Sequence, residues 1–524
     1  MRPLIHEIQT THTPETLVEQ LHGEPGVVLL RSAQFDSPQA RYSLVTVRPF
    51  LTFRSFGSRC EISRPRTPDP RPQLQFGNPW QLLDALLARC ELLDEIDLPF
   101  PLGGCFGYWG YDLKNFVEPK LPRRAVNDLE LPDCHVGFYD SLVVFDHRLG
   151  KVCIVSTGLD ADGSRSEARA DARAKFWRTH LEVEPHPTLT LALSLSERER
   201  ENRNRASGES KPGELAGAIE KPEGRGEGAV SFNLTRAEFL AAVERVQRYI
   251  RAGDIYQANL SQRLAAPWEL SGWELFQRLN AVSPAPFSAF LDCDGGSRHC
   301  RFQIASASPE QFLRLSGPHI QTRPIKGTRP RDSDPTRDAQ LAYELQTSAK
   351  ELAELVMITD LLRNDLGKVC EYGSVQVPEL ARLEKFAQVQ HLVSTVEGRL
   401  RNDVTHFAAF ASCFPGGSIT GAPKIRAMEI IDELEPVSRG PYCGAIGYLG
   451  FNRESQLSIT IRTAICQEGV AHFNVGAGIV ADSNPAAEYE ETLAKAAGFL
   501  AAMNCSSRRK EAHFKIESRN LSGE

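Results

Sequence analysis

Apolar residues recur every three or four positions in several stretches of the second half of the chain, a spacing typical of amphipathic helices. One such stretch starts after Thr235, whose hydroxyl can cap a helix. Its apolar positions are Phe239, Val243, Val246 and Ile250. The pattern predicts that an ordered second half begins near residue 231.

Residues 348–368 have the same spacing and predict a helix. Its expected buried stripe consists of Leu352, Leu355, Val356, Thr359 and Leu362. Glu351 and Glu354 are three residues apart, so they are neighbours on this helix. A pair of this kind, taken alone, is more typical of a solvated helix surface than of a metal site.

Residues 481–502 predict a second helix with a carboxylate pair. Asn484 can cap it, and Pro485 suits the first helical position. The expected buried stripe consists of Tyr489, Leu493, Ala497 and Leu500. Glu488, Glu491 and Lys495 then share the other face. Two glutamate pairs on different helices can converge to hold Mg²⁺, which takes few protein carboxylates and completes its octahedron with water and an anionic ligand.

Between these helices, alternating apolar residues predict an antiparallel meander with strands at 442–451, 457–466 and 471–480. In the middle strand the apolar positions point one way, so Arg462 points the other way. There it can grip a carboxylate with two hydrogen bonds, or it can be a solvated arginine on a polar face. Gly476 and Gly478 in the third strand allow close approach of the backbone to a ligand, although a tight strand bend explains them equally well.

The first half reads as β-rich. Short β-branched runs alternate with turn signals from Gly26 to about Phe145, with one helical stretch at 80–93. Residues 196–229 contain few large apolar groups and many Glu, Arg, Gly and Ser residues, a composition that cannot offset the entropy of ordering. We therefore divide the chain into four parts. These are a β-rich region at 1–158, a low-complexity, partly disordered insertion or linker at 159–230, the region that carries the candidate chemistry at 231–503, and a polar tail at 504–524.

Composition narrows the class of protein. The 524 residues are 41% hydrophobic and 24% charged, with a formal net charge of −7 and a pI of about 6.1. This balance gives no bulk electrostatic reason to bind nucleic acid or an anionic membrane. The twelve cysteines show no Cys-x-x-Cys spacing, and neither a secretory signal nor a long apolar run is present. We expect a cytoplasmic protein whose partners are small molecules and other proteins.

One lysine is placed unusually. Lys326 lies in the segment QTRPIKGTRPR, a turn formed by Gly and Pro and surrounded by three arginines. Such a lysine can be an ordinary solvated cation. It can also be a nucleophile that burial and cationic neighbours favour in its neutral form.

The motifs of the second half, taken together and in order, resemble those of the chorismate-utilising enzyme family. The resemblance covers about 231–495 and is weaker before the insertion. The matching blocks are SASPEQF, PIKGTRPR, ELAELVMITDLLRNDLGKV, QHLVSTVEG, FPGGSITGAPK, YCGAIGYLGF, IRTA and GAGIVADSNPAAEYEET. The resemblance implies a mixed α/β (α+β) fold like that of anthranilate synthase component I. In that fold two packed, largely antiparallel β-sheets carry helices on the outside and form one intertwined unit.

Lys326 points to one branch of this family. Within the family, the sequence resembles the aminodeoxychorismate synthase component I branch, whose members make 4-amino-4-deoxychorismate for p-aminobenzoate and folate biosynthesis. Anthranilate synthases typically carry alanine where Lys326 stands. The resemblance implies that Lys326 attacks carbon 2 of chorismate and that Glu310 protonates the leaving hydroxyl at carbon 4. Ammonia then attacks carbon 4 and releases the lysine. Near neutral pH, Lys326 must therefore be a free amine and Glu310 must hold a proton.

The resemblance also implies ligands for the metal and the substrate. Glu354 and Glu491 match Mg²⁺ ligands, with Glu351 and Glu488 beside them as direct or water-mediated partners. The metal would anchor the ring carboxylate of chorismate. The residues that match positions around the substrate are Gly327, Thr328, His391, Tyr442, Arg462, Gly476, Gly478 and Lys495.

A second site is implied in the first half. LLRSA, ARYSL and SPAPFSAF resemble the segments that form a tryptophan-binding pocket in this family. Its lining residues would be Ser32, Arg41, Tyr42, Pro286, Phe287 and Ser288. Arg31 stands where the family often has an acidic residue.

The expected partner is a separate glutamine amidotransferase subunit that supplies ammonia, because the chain contains no cysteine-nucleophile block of such an enzyme. Free ammonia is the other possible source. Anthranilate synthase and isochorismate synthase are alternative activities within the family. A non-catalytic, amino-acid-binding regulatory subunit is the alternative from a different class, but it predicts losses among Glu310, Lys326, Glu354 and Glu491, and none is lost.

Overall fold

The fold is taken from a computed structural model that describes residues 2–32, 40–65, 71–92, 98–184, 230–293, 301–386 and 389–504. The low-complexity segment at 196–229 and the tail at 505–524 lie outside the described residues. Within them the chain forms 24 strands and eleven α-helices.

The strands of the first half are β1 Leu4–Ile8, β2 Val28–Arg31, β3 Tyr42–Thr46, β4 Leu51–Phe56, β5 Arg59–Ser63, β6 Gln73–Phe76, β7 Gly104–Trp109, β8 Cys134–Tyr139, β9 Ser141–Asp146 and β10 Lys151–Ser156. Those of the second half are β11 Ser231–Phe232, β12 Gln257–Pro267, β13 Phe287–Cys293, β14 Phe302–Ser308, β15 Gln311–Ser316, β16 His319–Arg323, β17 Ile325–Pro330, β18 Gln376–Lys385, β19 Val389–Arg399, β20 Gly421–Ala422, β21 Ala445–Gly450, β22 Glu454–Ile459, β23 Thr463–Gln467 and β24 Val470–Ile479.

The helices are α1 Pro14–Gln20, α2 Pro79–Ala88, α3 Lys114–Val117, α4 Glu167–Glu182, α5 Arg236–Arg251, α6 Gly272–Val282, α7 Pro335–Gln346, α8 Ala349–Gly367, α9 His406–Cys413, α10 Lys424–Leu434 and α11 Pro485–Asn504. Two 3₁₀ turns are Tyr111–Leu113 and Gly417–Ile419. None of the helices in the described ranges is long and apolar enough to cross a membrane.

The strands form two twelve-stranded sheets in which every ladder is antiparallel. The first sheet has the order β1-β10-β9-β3-β2-β13-β14-β23-β24-β12-β11, and β20 also pairs with β12. The second has the order β17-β19-β16-β15-β22-β21-β7-β8-β4-β5-β6, and β18 also pairs with β19. Both sheets combine strands from the two halves, since β2 pairs with β13 and β7 pairs with β21. The prediction of one intertwined unit with two packed sheets is confirmed.

Successive side chains of β13 point to opposite faces of the first sheet, and their contacts show what each face packs against. Ala289 and Leu291 pack into the core between the sheets, while Phe290, which points to the opposite face, packs against the outer helices of the first sheet. The buried Trp80 of α2 packs on the other side, against Phe410 and Phe414 near the second sheet. The molecule therefore has four layers, with a continuous apolar core between the sheets.

The three helices predicted for the second half are present, but the residues that they bury differ in part from those that the sequence predicted. Thr235 caps α5 by accepting a hydrogen bond from the backbone N–H of Glu238. In α8 the buried stripe includes Ile358 and Leu366, whereas Val356 is exposed. In α11 Tyr489 is buried as predicted. The other buried positions are Glu488, Thr492, Ala496, Phe499 and Ala502 rather than Leu493, Ala497 and Leu500, because α11 packs against α6 and β24.

The predicted three-stranded meander is wrong in its middle strand. The stretch 457–466 is divided between β22 of the second sheet and β23 of the first, so the chain passes from one sheet to the other at residues 460–462. Arg462 adopts a left-handed conformation at this crossing, with φ of 53°. The direction of the Arg462 side chain is therefore set by the passage of the chain between the two sheets and not by strand alternation.

The described part of the region 159–230 includes α4, whose Trp177 is fully buried and donates a hydrogen bond to the hydroxyl of Ser141 at 3.0 Å. This helix covers the first sheet next to β10 and β1. The β-rich region is therefore extended by one packed helix before the undescribed residues 185–229 begin.

Candidate active site

A cleft of about 520 Å³ lies at the place where β17, β24, α8 and α11 meet. This volume lies within the range of small-molecule sites. All fourteen residues that the sequence assigned to catalysis, substrate and metal line it. They are Glu310, Lys326, Gly327, Thr328, Glu351, Glu354, His391, Tyr442, Arg462, Gly476, Gly478, Glu488, Glu491 and Lys495.

A β-bulge aims Lys326 into the cleft. Lys326 pairs with Leu392 and Thr328 pairs with His391, so Gly327 is an extra residue in β17. Gly327 has φ of 69°, a conformation that glycine adopts without strain. A Cβ atom at this position would also lie 3.1 Å from Oε2 of Glu351. The bulge thus explains why a glycine follows the lysine.

Glu310 lies on the short connection between β14 and β15 and is 6% exposed. The hydroxyl of Ser418 and the backbone N–H of Ile325, the neighbour of Lys326, act on its carboxyl as hydrogen-bond donors that lower its pKa. Burial raises the pKa of Glu310 to about 7, although these hydrogen bonds and the charge of Lys326 act in the opposite direction. The group can therefore hold a proton near neutral pH and donate it.

The first carboxylate pair lies on the first two turns of α8, which is capped by the Ser348 hydroxyl. Nζ of Lys326 lies 3.8 Å from Oε2 of Glu354, and Nη1 of Arg329 lies 3.6 Å from Oε1 of Glu351. Burial raises the pKa of Glu354, opposed by the positive charges of Lys326 and Lys350. Both carboxylates of this pair therefore lie close to positively charged side chains in the cleft.

The second pair lies on α11. Nζ of Lys495 donates to Oε1 of Glu491 at 2.7 Å and to the carbonyl of Gly476 at 2.7 Å. Burial acts against the charged form of Glu491, but Lys495, Lys350 and Lys326 together outweigh it and lower the pKa of this carboxyl. Burial raises the pKa of Glu488, which accepts a hydrogen bond from Ser483 at 2.6 Å. The two helices thus bring four carboxylates to one cleft.

Neighbouring side chains pack closely against the backbone of β24 at Gly476 and Gly478. A Cβ at Gly476 would lie 3.0 Å from the Tyr442 hydroxyl, and one at Gly478 would lie 2.4 Å from Nε2 of Gln257. Arg462 donates to the carbonyl of Lys495 at 2.8 Å and so fixes the start of β23 to α11. Neighbouring protein atoms therefore account for the two glycines, and the close approach of a ligand to their backbone stays a prediction.

His391 is held by its neighbours on β17. Its Nδ1 lies 3.0 Å from the Thr328 hydroxyl and 3.3 Å from the Gly327 carbonyl. Burial lowers the pKa of His391, so it is a neutral imidazole near pH 7. A neutral ring beside the bulge can hydrogen-bond to an uncharged part of a substrate.

The donor set fits a hard divalent cation that takes one or two protein carboxylates. Carboxylate oxygens from α8 and α11 face the same cleft, and Glu351 and Glu491 both raise the pKa of Glu354 by repulsion. No group of three or more His, Cys, Asp or Glu side chains in the described parts of the chain could by itself hold a metal ion. The arrangement matches the coordination habit of Mg²⁺, which keeps several waters and binds an anionic ligand.

A second, smaller pocket of about 40 Å³ lies between the first sheet and β21–β22. Of the residues predicted for the amino-acid pocket, Ser32, Tyr42, Pro286, Phe287 and Ser288 line it. Arg41 instead pairs with Asp146 at 2.5 Å and lies over the Tyr42 ring. Arg31, at the edge of this pocket, forms an ion pair with Glu15.

The comparison with known proteins places this site in a family. A model of chorismate-binding enzymes matches residues 33–501. The chain belongs to this family of chorismate-binding enzymes. The expectation from the sequence motifs is thereby confirmed.

Relatives within the chorismate-binding family have two different names. The chain is 40% identical to aminodeoxychorismate synthase component 1 of Salmonella typhimurium, over 90% of this chain and 91% of that protein. It is 36% identical to anthranilate synthase component 1 of Acetivibrio thermocellus, over 94% and 92%. The crystal structure of anthranilate synthase component I from Streptococcus pneumoniae TIGR4 has a TM-score of 0.70 and 29% identity, covering 88% of this chain and 93% of that one.

The motifs and spacing of the sequence did not identify several cleft residues of this chorismate-binding enzyme. Ser418 and Asn259 line the cleft, and Gln257 donates to Glu354 at 3.4 Å. Lys350 lies one residue before Glu351, so helical spacing could have found it. Ser418 lies in the block FPGGSITGAPK, but nothing local to Asn259 or Gln257 distinguishes them from other strand residues.

Proposed function

We propose that this protein aminates chorismate at carbon 4 and forms 4-amino-4-deoxychorismate through a covalent adduct with Lys326. The observation that carries the proposal is the bulge at Gly327, which directs the Lys326 amine into the cleft between Glu310 and Glu354. An alkyl amine at this position is a nucleophile that alanine could not supply.

The proposed steps use two side chains of the chain itself. The neutral amine of Lys326 forms a bond to carbon 2, and the two ring double bonds shift. The bond between carbon 4 and its oxygen breaks, and Glu310 gives its proton to the departing hydroxyl, which leaves as water. Ammonia then attacks carbon 4, the double bonds shift back, and the bond between Lys326 and carbon 2 breaks. The new ammonium group on carbon 4 returns one proton to the Glu310 carboxylate. The raised pKa of Glu310 supports its role as the acid.

Binding of the substrate follows from the charges of the cleft. Arg462 and Lys495 lie where they can face the carboxylates of chorismate, and Tyr442 and Gly478 close the wall beside them. Glu354 and Glu491, assisted by Glu351 and Glu488, would hold Mg²⁺. The bound ion would neutralise these carboxylates and provide a positive charge for the ring carboxylate of the substrate.

The source of ammonia in this proposal is a partner glutamine amidotransferase subunit. The name "component 1" of the Salmonella relative supports a two-subunit enzyme. The residues of the cleft themselves require only ammonia, so the chain should work with ammonium salts in the absence of its partner.

Anthranilate synthesis is the second candidate. It is favoured by the relative in Acetivibrio thermocellus and by the structural similarity to the Streptococcus pneumoniae enzyme. The two candidates differ in whether nitrogen enters at carbon 4 or at carbon 2 of the same substrate. Product identity therefore distinguishes them.

A product assay tests the proposal. We expect the purified chain, incubated with chorismate, Mg²⁺ and ammonium salt at pH 8, to form 4-amino-4-deoxychorismate, identified by chromatography with mass spectrometry. Excess EDTA should abolish turnover, and added Mg²⁺ should restore it. Anthranilate or isochorismate as the main product would refute amination at carbon 4, and undiminished turnover in EDTA would refute the metal requirement.

We also propose that the pocket beside Ser32 binds an amino acid, with tryptophan as the candidate. Two buried atoms support a polar ligand, since the Ser32 and Tyr42 hydroxyls have no hydrogen-bond partner in the described residues. A volume of about 40 Å³ admits only a few water molecules, so the walls must move to admit an indole.

Thermal unfolding measures this binding. Tryptophan at 100 times its Kd stabilises the protein by about 2.7 kcal/mol and should raise Tm by several degrees. Tyr42→Phe, which removes one unpartnered hydroxyl, should weaken the shift, while phenylalanine at the same concentration should give a smaller one. An unchanged Tm at millimolar tryptophan would contradict the proposal.

A further inference from the structure

A buried arginine that the sequence did not assign to the reaction lies directly behind the cleft. Arg439 follows α10 and its side chain is 2% exposed. Its Nε and Nη2 donate to the two carboxylate oxygens of Glu435 at 2.8 and 2.7 Å. Glu435 also accepts hydrogen bonds from the backbone N–H and the hydroxyl of Ser261 on β12. The charge of Arg439 is therefore fully paired within the core.

The remaining donors of Arg439 reach two separate elements that line the cleft. Nη2 donates to the carbonyl of Asn259 on β12 at 2.6 Å, and Nη1 donates to the carbonyl of Ile419 in the 3₁₀ turn at 3.1 Å. Asn259 is bonded to the same turn, because its side-chain amide also donates to the Ile419 carbonyl, at 3.2 Å. One planar guanidinium thus joins a strand and a turn that lie far apart in the chain.

The turn held by Arg439 carries the hydroxyl that acts on Glu310. Ser418 precedes Ile419 and lines the same cleft as Glu310, where its hydroxyl acts as a hydrogen-bond donor that lowers the pKa of the Glu310 carboxyl. Arg439 also lies over the ring of Tyr442, with its Cζ 5.8 Å from the ring centroid. Arg439 therefore contacts both the turn that carries Ser418 and the ring of Tyr442, which forms one wall of the substrate site.

We propose that Arg439 is a positioning residue for this active site: it holds the 417–419 turn against β12 so that the Ser418 hydroxyl stays in the cleft beside Glu310. The inference rests on the proposed role of Glu310 as the acid, but it does not depend on which product is formed. Lysine cannot replace the guanidinium, because one ammonium cannot reach Glu435, Asn259 and Ile419 in a common plane.

The direction of the effect follows from the hydrogen bond. The Ser418 hydroxyl stabilises the ionised form of Glu310, so its loss should raise the pKa of this carboxyl. The other groups that act on Glu310 are the charge of Lys326 and the backbone N–H of Ile325, and neither is bonded to Arg439. Displacement of the turn should therefore act like removal of the Ser418 hydroxyl.

The test compares Arg439→Lys, Ser418→Ala and the variant with both substitutions. Arg439→Lys should lower kcat at least tenfold and change KM for chorismate less than threefold, for whichever product the wild type forms. It should also move the alkaline limb of the plot of kcat against pH to higher pH, and Ser418→Ala should do the same. The combined variant should be no slower than the slower single variant. Arg54→Lys, which alters another buried arginine paired with a glutamate, should leave the profile unchanged.

Two additions keep the test decisive. If Arg439→Lys fails to fold, Arg439→Met/Glu435→Leu removes both buried charges together, a replacement that proteins commonly tolerate. The titration of Glu310 can also be followed by ¹³C NMR without substrate, using Glu310→Gln for assignment, and this reading is independent of turnover. Additive losses of kcat, or a Glu310 titration unchanged in the folded Arg439 variant, would overturn the inference.

Discussion

Lys326→Ala should abolish formation of 4-amino-4-deoxychorismate, with a fall of at least about 10³-fold in kcat. The bulge at Gly327 aims this amine into the cleft, and a methyl group there can form no bond to the substrate. Without the covalent adduct, carbon 2 stays open to ammonia, so the residual product should shift toward anthranilate. Chromatography of the products of wild type and variant measures both effects.

Lys350→Ala provides the matched control for this substitution. Lys350 is another lysine of the same cleft, and it acts on Glu354, Glu488 and Glu491 through its charge. Its removal should alter substrate and metal affinity but leave the identity of the product unchanged. A Lys326→Ala enzyme that still forms 4-amino-4-deoxychorismate at the wild-type rate would exclude the nucleophile role.

Mass spectrometry of the intact protein gives independent evidence on the adduct. In the absence of ammonia, chorismate should add to the wild-type chain with loss of one water, because the carbon 4 hydroxyl has left. Peptide mapping should locate the adduct at Lys326, and the alanine variant should show none. An adduct on a different residue would assign the nucleophile elsewhere.

The parts of the site that the sequence predicted are those controlled by local rules. The helical spacing of Glu351 and Glu354, the cap at Asn484 and the proline at the start of α11 all act within a few residues. Their positions on the helices could therefore be read from the chain. The motifs then supplied the relation between distant segments.

The errors arose where long-range packing overrides a local pattern. Apolar and polar residues alternate from Leu457 to Arg462, and Thr463 and Ile465 continue this register, yet Ile459 ends a strand in the second sheet and Thr463 begins one in the first. Nothing within this stretch shows that its two halves join different sheets. Similarly, the side of α8 that is covered depends on the neighbouring elements, so Val356 is exposed and Ile358 is buried.

The contacts that tune the site were also beyond local reasoning. Burial raises the pKa of Glu310 to about 7, and two of the groups that oppose this shift, the Ser418 hydroxyl and the Ile325 backbone N–H, come from two other segments. A short motif can identify the carboxyl as a candidate. Only the packing of distant elements determines how strongly it holds its proton.

Glu310→Gln should lower kcat by about 10²–10⁴-fold, the usual contribution of a general acid. Glutamine fills the same space and can accept the Ser418 hydrogen bond, but it cannot give a proton to the departing hydroxyl, so KM should change little. Steady-state kinetics with chorismate and saturating ammonia measures both constants. Glu454→Gln, which alters another buried glutamate outside the cleft, is the matched control and should remain active.

The pH dependence provides the second test of this residue. Because burial raises the pKa of Glu310 to about 7, the acid form is present below this pH and is lost as the pH rises through it. In the wild type, kcat measured with a fixed concentration of free ammonia should therefore fall about tenfold per unit well above pH 7. Glu310→Gln should lack this limb, while Glu454→Gln should keep it. If the limb persists in Glu310→Gln, the proton comes from another group, and the carboxyl beside Ile325 acts only in binding.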